Sequence, residues 1–455
     1  MPLSPSDARE IVARYLPAWR SNFTDIDRID RWSRGRNQPP NLPRGATMEY
    51  RELQDRSPTP WLGLVVTAVA QSLYVDGYHR KDNPEDSDGW DVWQANALDA
   101  RQVAVHRAAL AHGLSYMTVM PGSLQGRVMP VLRGVSARKM IALYADPAED
   151  EWPMYALRGE HTKLAGVKGL RLRLYDNEAV YTFDAIDGSD SPTFITFDEH
   201  PAQVCPVVRF ANMLDLEGRT PGEVEPFIPL AARIDQDTFD RLIVQRFGSW
   251  KVRYIAGMAK PETDSEKRAA ELKLRVTDLL VSEDKDTKFG TLDATPLDGY
   301  IAARDSDIRD LAAVTQTPPH HLLGQMANLS AEALAAAEAS LTRKVEERKH
   351  VFGESHEQAL RLAQYLRGDV DGAADFASQV RWRDMESRSL AQAADALGKL
   401  AQMLNVPVQM LWEKIPGFTK TDVERAKQMF AEGDALDALI RSLAEAGEPG
   451  PGEPG

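Results

Sequence analysis

The chain is poor in the features that most often announce a function. A single cysteine, Cys205, stands in 455 residues, which excludes an internal disulfide framework and fits a reducing cytoplasm. No apolar run can cross a membrane: the longest, Trp61 to Ala70, is about half of the roughly 20 residues a bilayer requires. The opening Met1-Pro-Leu-Ser-Pro-Ser-Asp7 has neither the basic patch nor the apolar core of a signal peptide. Positive charge is also short, with 54 Lys and Arg against 68 Asp and Glu and a net charge of −14. That balance excludes a tight, general binder of nucleic-acid phosphates. It suits an ordinary acidic soluble protein, and equally a wall along which a polyanion must slide without sticking.

Signatures of catalysis are missing as well. Gly398-Lys399 has no upstream glycine and is followed by Leu400, so it is not a phosphate loop. Gly113-Leu-Ser115 lacks the closing glycine of a nucleophile elbow. His350 and His356, six residues apart on one expected helix, fall on different faces and make poor joint ligands. His320-His321 follows two prolines; adjacent side chains are expected to point apart, one capping the loop and the other packing. Asp82–Gly89 and Asp184–Gly188 put Pro84, Ala185 and Ile186 where a calcium loop needs ligands. Asp305 and Asp307 diverge on a helix, and Cys205, within a β-run, reads as a small buried apolar group. The expectation is no catalytic residue, no cofactor and no metal.

Architecture is what remains. Asp7 to Trp19 carries one apolar helix face (Ile11, Val12, Tyr15, Leu16, Trp19), and Trp61 to Val75 reads as a buried helix. Asp82–Gly89 is a polar loop, and Trp90 to Gly113 is helical. Short alternating runs follow at Tyr116–Met120, Val128–Leu132, Met140–Tyr144, Leu170–Tyr175 and Val180–Phe183. In Leu170-Arg-Leu-Arg-Leu-Tyr175 the leucines share one strand face and the arginines the other. This antiparallel region ends near Phe210. Helices at about Pro226–Phe247 and Gly299–Val314 then bracket an insert, residues 251–298, whose two ends must lie together. Within it Glu262–Arg275 reads as a helix and Asp278–Leu292 as a hairpin. Thr317-Pro-Pro319 stops the second helix, and the loop Gly324 to Leu329 leads to Ser330, a good N-cap with Glu332 in the first turn. The helix so opened runs to about Leu366, with a kink expected at Gly353. Its apolar face is Leu334, Leu341, Val345, Phe352, Ala359, Leu362 and Leu366. Phe376–Trp382 looks like a further strand, and 387–443 is helical, divided by Pro407 and Pro416-Gly417. Gly447–Gly455 is too rich in proline and glycine to fold.

Several of these stretches resemble one family. Trp61-Leu-Gly-Leu-Val-Val-Thr-Ala-Val-Ala-Gln-Ser-Leu-Tyr-Val-Asp-Gly77 resembles the early helix of portal proteins from tailed phages of actinobacteria. Trp90-Asp-Val-Trp93 with Asn96, His106–Gly113 and Ser115–Val119 resemble the next portion. Thr315-Gln-Thr-Pro-Pro-His-His-Leu-Leu-Gly324 with Ser330-Ala-Glu-Ala-Leu334 resembles the segment entering the family's channel. Residues 50–430 are covered, and the order is more specific than any one piece.

The resemblance implies a mainly helical α+β portal fold with wing, stem, clip and crown. Residues 1–225 and a return strand in 368–386 would form the wing, and 226–250 and 299–317 the stem. Residues 251–298 would be the clip, 318–367 the tunnel loop and long kinked tunnel helix, 387–446 the crown, and 447–455 a disordered tail. It implies a twelve-membered ring at one capsid vertex of the virion, assembled in the host cytoplasm, through which double-stranded DNA passes non-specifically. Implied partners are the large terminase subunit, a head-completion adaptor, the major capsid protein and scaffold, with no membrane. Gly324, Gln325, Met326, Ala327, Asn328 and Leu329 would face the DNA. Arg343, Lys344, Arg348 and Lys349 would form a basic ring, or else a solvated face paired with Glu338, Glu346 and Glu347. The alternative readings are another oligomeric head or adaptor protein and a metal-dependent hydrolase.

Overall fold

A computed structural model describes residues 1–42, 44–80, 88–164, 166–248, 253–256, 288–291, 295–324, 331–383, 390–415, 418, 422–423 and 425–432. The first helix, α1 (Pro5–Ser33), starts where Ser4 accepts a hydrogen bond from the Asp7 backbone N–H and Pro5 takes the first turn. It runs fourteen residues past Trp19, through Pro17, because its buried face continues as Ile26 and Ile29. Helices α2 (Met48–Asp55), α3 (Trp61–Ala70), α4 (Asp88–Ala95) and α5 (Leu98–His112) follow. The apolar run from Trp61 thus stops at Ala70 rather than Val75, and strand β1 (Val75–His79) takes the next residues. The helix expected over Trp90–Gly113 is two helices, parted at Ala97 in the left-handed region.

The β-region is antiparallel, as the alternation requires. Its strands are β2 (Leu114–Met120), β3 (Ser123–Leu124), β4 (Arg127–Val128), β5 (Val131–Ser136), β6 (Met140–Leu143), β7 (Tyr155–Leu164), β8 (Val167–Tyr175), β9 (Ala179–Ile186), β10 (Thr193–Glu199) and β11 (Val207–Ala211). They make a five-stranded sheet in the order β10-β9-β8-β7-β6 and a three-stranded sheet β11-β2-β5. Leu170, Leu172 and Leu174 of β8 are buried with Ala8, Val12, Leu16 and Trp19 of α1, while Arg171 on the opposite face pairs with Asp184. The backbone at Gly159 leaves room for the Trp19 indole, whose ring atoms would sit 2.5 Å from an added Cβ.

Beyond the sheets, α6 (Ile228–Gly248), entered through a single 3-10 turn, packs along α7 (Asp298–Val314), and Arg233 bridges them to Asp307 at 2.6 Å. Strands β12 (Arg253–Ala256) and β13 (Lys288–Thr291) pair antiparallel, from Arg253 opposite Thr291 to Ala256 opposite Lys288. The ends of the insert therefore meet. Strand β13 pairs with a strand more than thirty residues upstream; the rest of the hairpin expected over Asp278–Leu292 lies outside the described residues. The expected helix Glu262–Arg275 lies outside the described residues, as does Gly447–Gly455.

The short helix α8 (Pro319–Leu323) ends on Gly324 at φ +65°, and α9 (Ala331–Arg367) follows. Helix α9 is continuous over 37 residues, passing through Gly353 without a break. Leu341, Val345, Phe352, Ala359 and Leu362 are all buried in the main core with Leu62, Val65, Leu110 and Phe210. After α10 (Val370–Ala374), β14 (Gln379–Trp382) returns to pair antiparallel with β1, Tyr78 opposite Val380, and Arg381 reaches Asp76 at 2.9 Å. Helices α11 (Leu390–Leu404) and α12 (Val408–Leu411) flank Pro407. The architecture is a mainly helical α+β fold.

Candidate functional site

The expected tunnel loop divides at the limit of the described residues: Gly324 is placed, and Gln325, Met326, Ala327, Asn328 and Leu329 lie outside them. Gly324 is exposed, and its N–H donates to the His320 carbonyl at 3.0 Å. What holds the approach to this point is a threonine knot. Thr315 donates to the Leu311 carbonyl at 2.7 Å and its hydroxyl lies 3.1 Å from that of Thr317, both buried, so α7 stops just before Pro318 and Pro319 can redirect the chain.

The four basic residues of α9 expected to act together part company. Arg343 is exposed, its Nε donating to the Ala339 carbonyl of its own helix. Lys349, partly exposed, pairs with Glu346 at 2.7 Å, the helical pairing that the spacing allows. Lys344 and Arg348 are buried, 6% and 2% exposed, which corrects their assignment both to a channel surface and to a solvated face. Lys344 Nζ donates to Glu223 Oε2 at 2.5 Å and to the Thr315 carbonyl at 2.9 Å. Arg348 donates to Asn212 Oδ1 at 2.7 Å and to Glu223 Oε1 at 3.3 Å, and the Asn212 amide also reaches that oxygen. One carboxylate, itself 3% exposed, thus holds two cations. Burial pulls the Lys344 ammonium below the usual lysine range, against the opposing pull of Glu223. These side chains fasten α9 to α7 and to the segment after β11. The sequence offered no sign of it, since Glu223 lies 121 residues before Lys344.

About two turns further on, α9 meets α5 through two buried histidines that sequence reasoning did not join. His106 Nε2 and His356 Nε2 are 2.8 Å apart, and His106 Nδ1 faces the Leu73 carbonyl at 3.3 Å. His106 stacks on Phe352 and His356 meets Phe210 edge-on. Burial pushes His106 down to about 4 and His356 well below the ordinary histidine range. Both are neutral at physiological pH, and the contact is one imidazole donating to the other. His350, by contrast, is exposed, so the divergence expected of the pair 350 and 356 is what the helix produces.

His320 and His321 do not point apart. Their Nε2 atoms lie 2.9 and 3.2 Å from the same Glu338 Oε1, and their rings stand 4.6 Å apart, edge to face. A short helix opened by Pro319 turns both imidazoles toward α9, so Glu338 serves histidines rather than the basic residues one turn on. Cys205 is buried and its thiol pushed far up by desolvation, which removes it as a nucleophile.

No helix among the described residues is long and apolar enough to cross a membrane. Known proteins supply the frame for these features. The chain is similar to the portal protein of Mycobacterium phage D29, 28% identical over 86% of this chain and 82% of the relative. It is similar to the portal protein of Mycobacterium phage L5, 30% identical over 74% of this chain and 71% of the relative. A chain in the solved virion of a native gene transfer agent particle aligns at 14% identity and a TM-score of 0.45, covering 81% of this chain and 96% of that one. The model of the family described as phage portal protein, SPP1 Gp6-like, matches residues 13–437, and to that family of structural components of the phage particle this chain belongs.

Proposed function

We propose that this chain is one of twelve identical subunits in a ring at a single capsid vertex, through which double-stranded DNA enters during packaging and leaves at ejection. The observation that carries the reading is the pair α6 and α7, packed together and bracketing an insert whose ends are paired by β12 and β13. That is what a stem carrying a clip needs, and family membership supports it. On this reading residues 251–298 dock the large terminase subunit and later the head-completion adaptor. The wing, 1–225 with the return strand β14, meets the major capsid protein and scaffold during assembly in the host cytoplasm, and residues from 387 form the crown.

Gly324 and residues 325–329 approach the DNA, Gln325 and Asn328 touching phosphates without lasting charge pairing and Met326 giving a soft apolar contact. Of the basic residues only Arg343 and Lys349 remain candidates for the channel wall, because Lys344 and Arg348 are spent inside the subunit. Native mass with negative-stain imaging of the purified chain tests the reading. A closed ring of about twelve subunits with a central hole is expected; a stable closed particle without a hole overturns it.

A further inference from the structure

We propose that His320, His321 and Glu338 form a binding site for one divalent transition-metal ion of the zinc class, which ties α8 to α9. The proposal rests on the local geometry and does not require the channel reading.

The three groups offer two imidazole nitrogens and one carboxylate oxygen, all within 4.8 Å of one another. A tetrahedral ion with bonds of roughly 2.0–2.1 Å holds neighbouring ligand atoms roughly 3.3 Å apart. The His320 and His321 nitrogens stand 2.9 and 3.2 Å from Glu338 Oε1, already close to that spacing, and the two nitrogens lie within 4.8 Å of each other. The edge-to-face arrangement of the rings aims the two nitrogens at a common point while keeping the ring bodies apart. Two imidazoles and one carboxylate select a borderline ion over calcium or magnesium, which take oxygen ligands.

Burial is graded across the site. The His320 side chain is 9% exposed, and Glu338 and His321 are 33% and 35% exposed. One ligand is thus anchored inside and two border solvent, which gives the ion a way in and leaves a fourth position for water. The metal-free alternative is two N–H donors sharing one carboxylate oxygen. It demands the Nε2–H tautomer of both rings, whereas an ion takes the Nε2 lone pair of each ring, whose proton then sits on Nδ1, and is shared by all three groups.

The consequence is mechanical. His320 and His321 lie just before Gly324 and Glu338 lies in the second turn of α9, so the ion joins the two sides of residues 325–330.

The test is titration of the full-length chain, stripped with a chelator, with Co²⁺ read by its visible ligand-field absorption and with Zn²⁺ read by calorimetry. One equivalent per chain is expected, with zinc displacing the cobalt signal. Each of His320→Gln, His321→Gln and Glu338→Gln weakens binding by at least the roughly 10–100-fold that even outer-shell changes cost, with helical circular dichroism unchanged. His350→Gln, an exposed histidine on the same helix, leaves affinity unaltered. Absence of saturable binding overturns the site, and so does binding that survives the triple substitution or that falls equally with His350→Gln. Ring formation is read separately by native mass, so failure of the metal site and failure of the channel reading are distinguishable.

Discussion

Among single residues, Glu223 decides most, because two cations depend on it and none of the three is accessible to water. Removing one partner of a buried ion pair leaves charge unpaired at low dielectric, a loss of about 3–5 kcal/mol. Glu223→Gln is expected to lower the unfolding free energy read from denaturant titration by that order. Glu347→Gln removes an exposed partner of the same Arg348, its side chain 64% exposed, and is expected to fall within about 0.5 kcal/mol of the parent. Equal losses would mean that the buried cluster contributes no more than a surface pair. The histidine pair gives a pH prediction. His106 and His356 are held neutral in the fold, whereas the unfolded chain takes up protons once the pH falls below about 6.5. The unfolded state therefore binds more protons below about pH 6.5, down to about 4 for His106, and stability is lost as pH falls through that range. Asp235, buried and pushed up to about 6, works in the opposite direction. The decisive quantity is thus the difference between variants: His356→Gln starts less stable but should lose less between pH 7 and 5. An unchanged slope would remove the pair from the account. Composition could not reveal any of this, since burial of Lys344 and the meeting of His106 with His356 depend on contacts 121 and 250 residues apart.

At the scale of elements, local pattern was legible wherever one face decides the structure. Leu170-Arg-Leu-Arg-Leu-Tyr175 became a strand with its leucines under α1, and of the apolar positions expected of α9, Leu341, Val345, Phe352, Ala359 and Leu362 are buried and Leu366 partly so, joined by Leu360 and Ala363. Phe376–Trp382 was expected as a strand and contains β14, but its partner β1, beginning at the Val75 that ended an expected helix, was not read as a strand. Val75-Asp-Gly-Tyr-His79 is short and bulged, and its pairing lies some three hundred residues away, so no local period marks it. Gly353 misled for a different reason. Glycine is a poor helix former, yet α9 runs through it, and an added Cβ would meet Trp382 Nε1 and Val380 Cγ2 at 3.6 Å, ordinary contact distance. Gly353→Ala is therefore expected to stabilise the chain by about 0.4–1 kcal/mol through reduced freedom of the unfolded state. A loss in thermal midpoint would instead show that α9 must bend there.

For the whole molecule the governing quantity is charge. With a net of −14 per chain, and with Lys344 and Arg348, two of the six Lys and Arg of α9, held inside the subunit by Glu223, the positive surface left on that helix to grip a polyanion is reduced. Binding of duplex DNA grows with the number of phosphates neutralised, and its salt dependence reports that number. A ring built to let DNA slide gains from keeping the number small, since each lasting contact must be broken at every step. Linear duplex mixed with the purified ring is therefore expected to show no saturable association at about 150 mM salt, where non-specific binders hold DNA at roughly 10⁻⁴–10⁻⁶ M. Weak association should emerge only at low salt, with a shallow dependence of log affinity on log salt. Arg343→Gln should make that slope shallower still without changing the denaturant midpoint, because the residue is exposed and, among the described residues, hydrogen-bonds within its own helix. Lys344→Met should do the reverse, costing stability and leaving the slope alone. Micromolar binding at physiological salt with a steep slope would show a gripping surface where the charge balance places a slippery one, and the sliding account would fall with it.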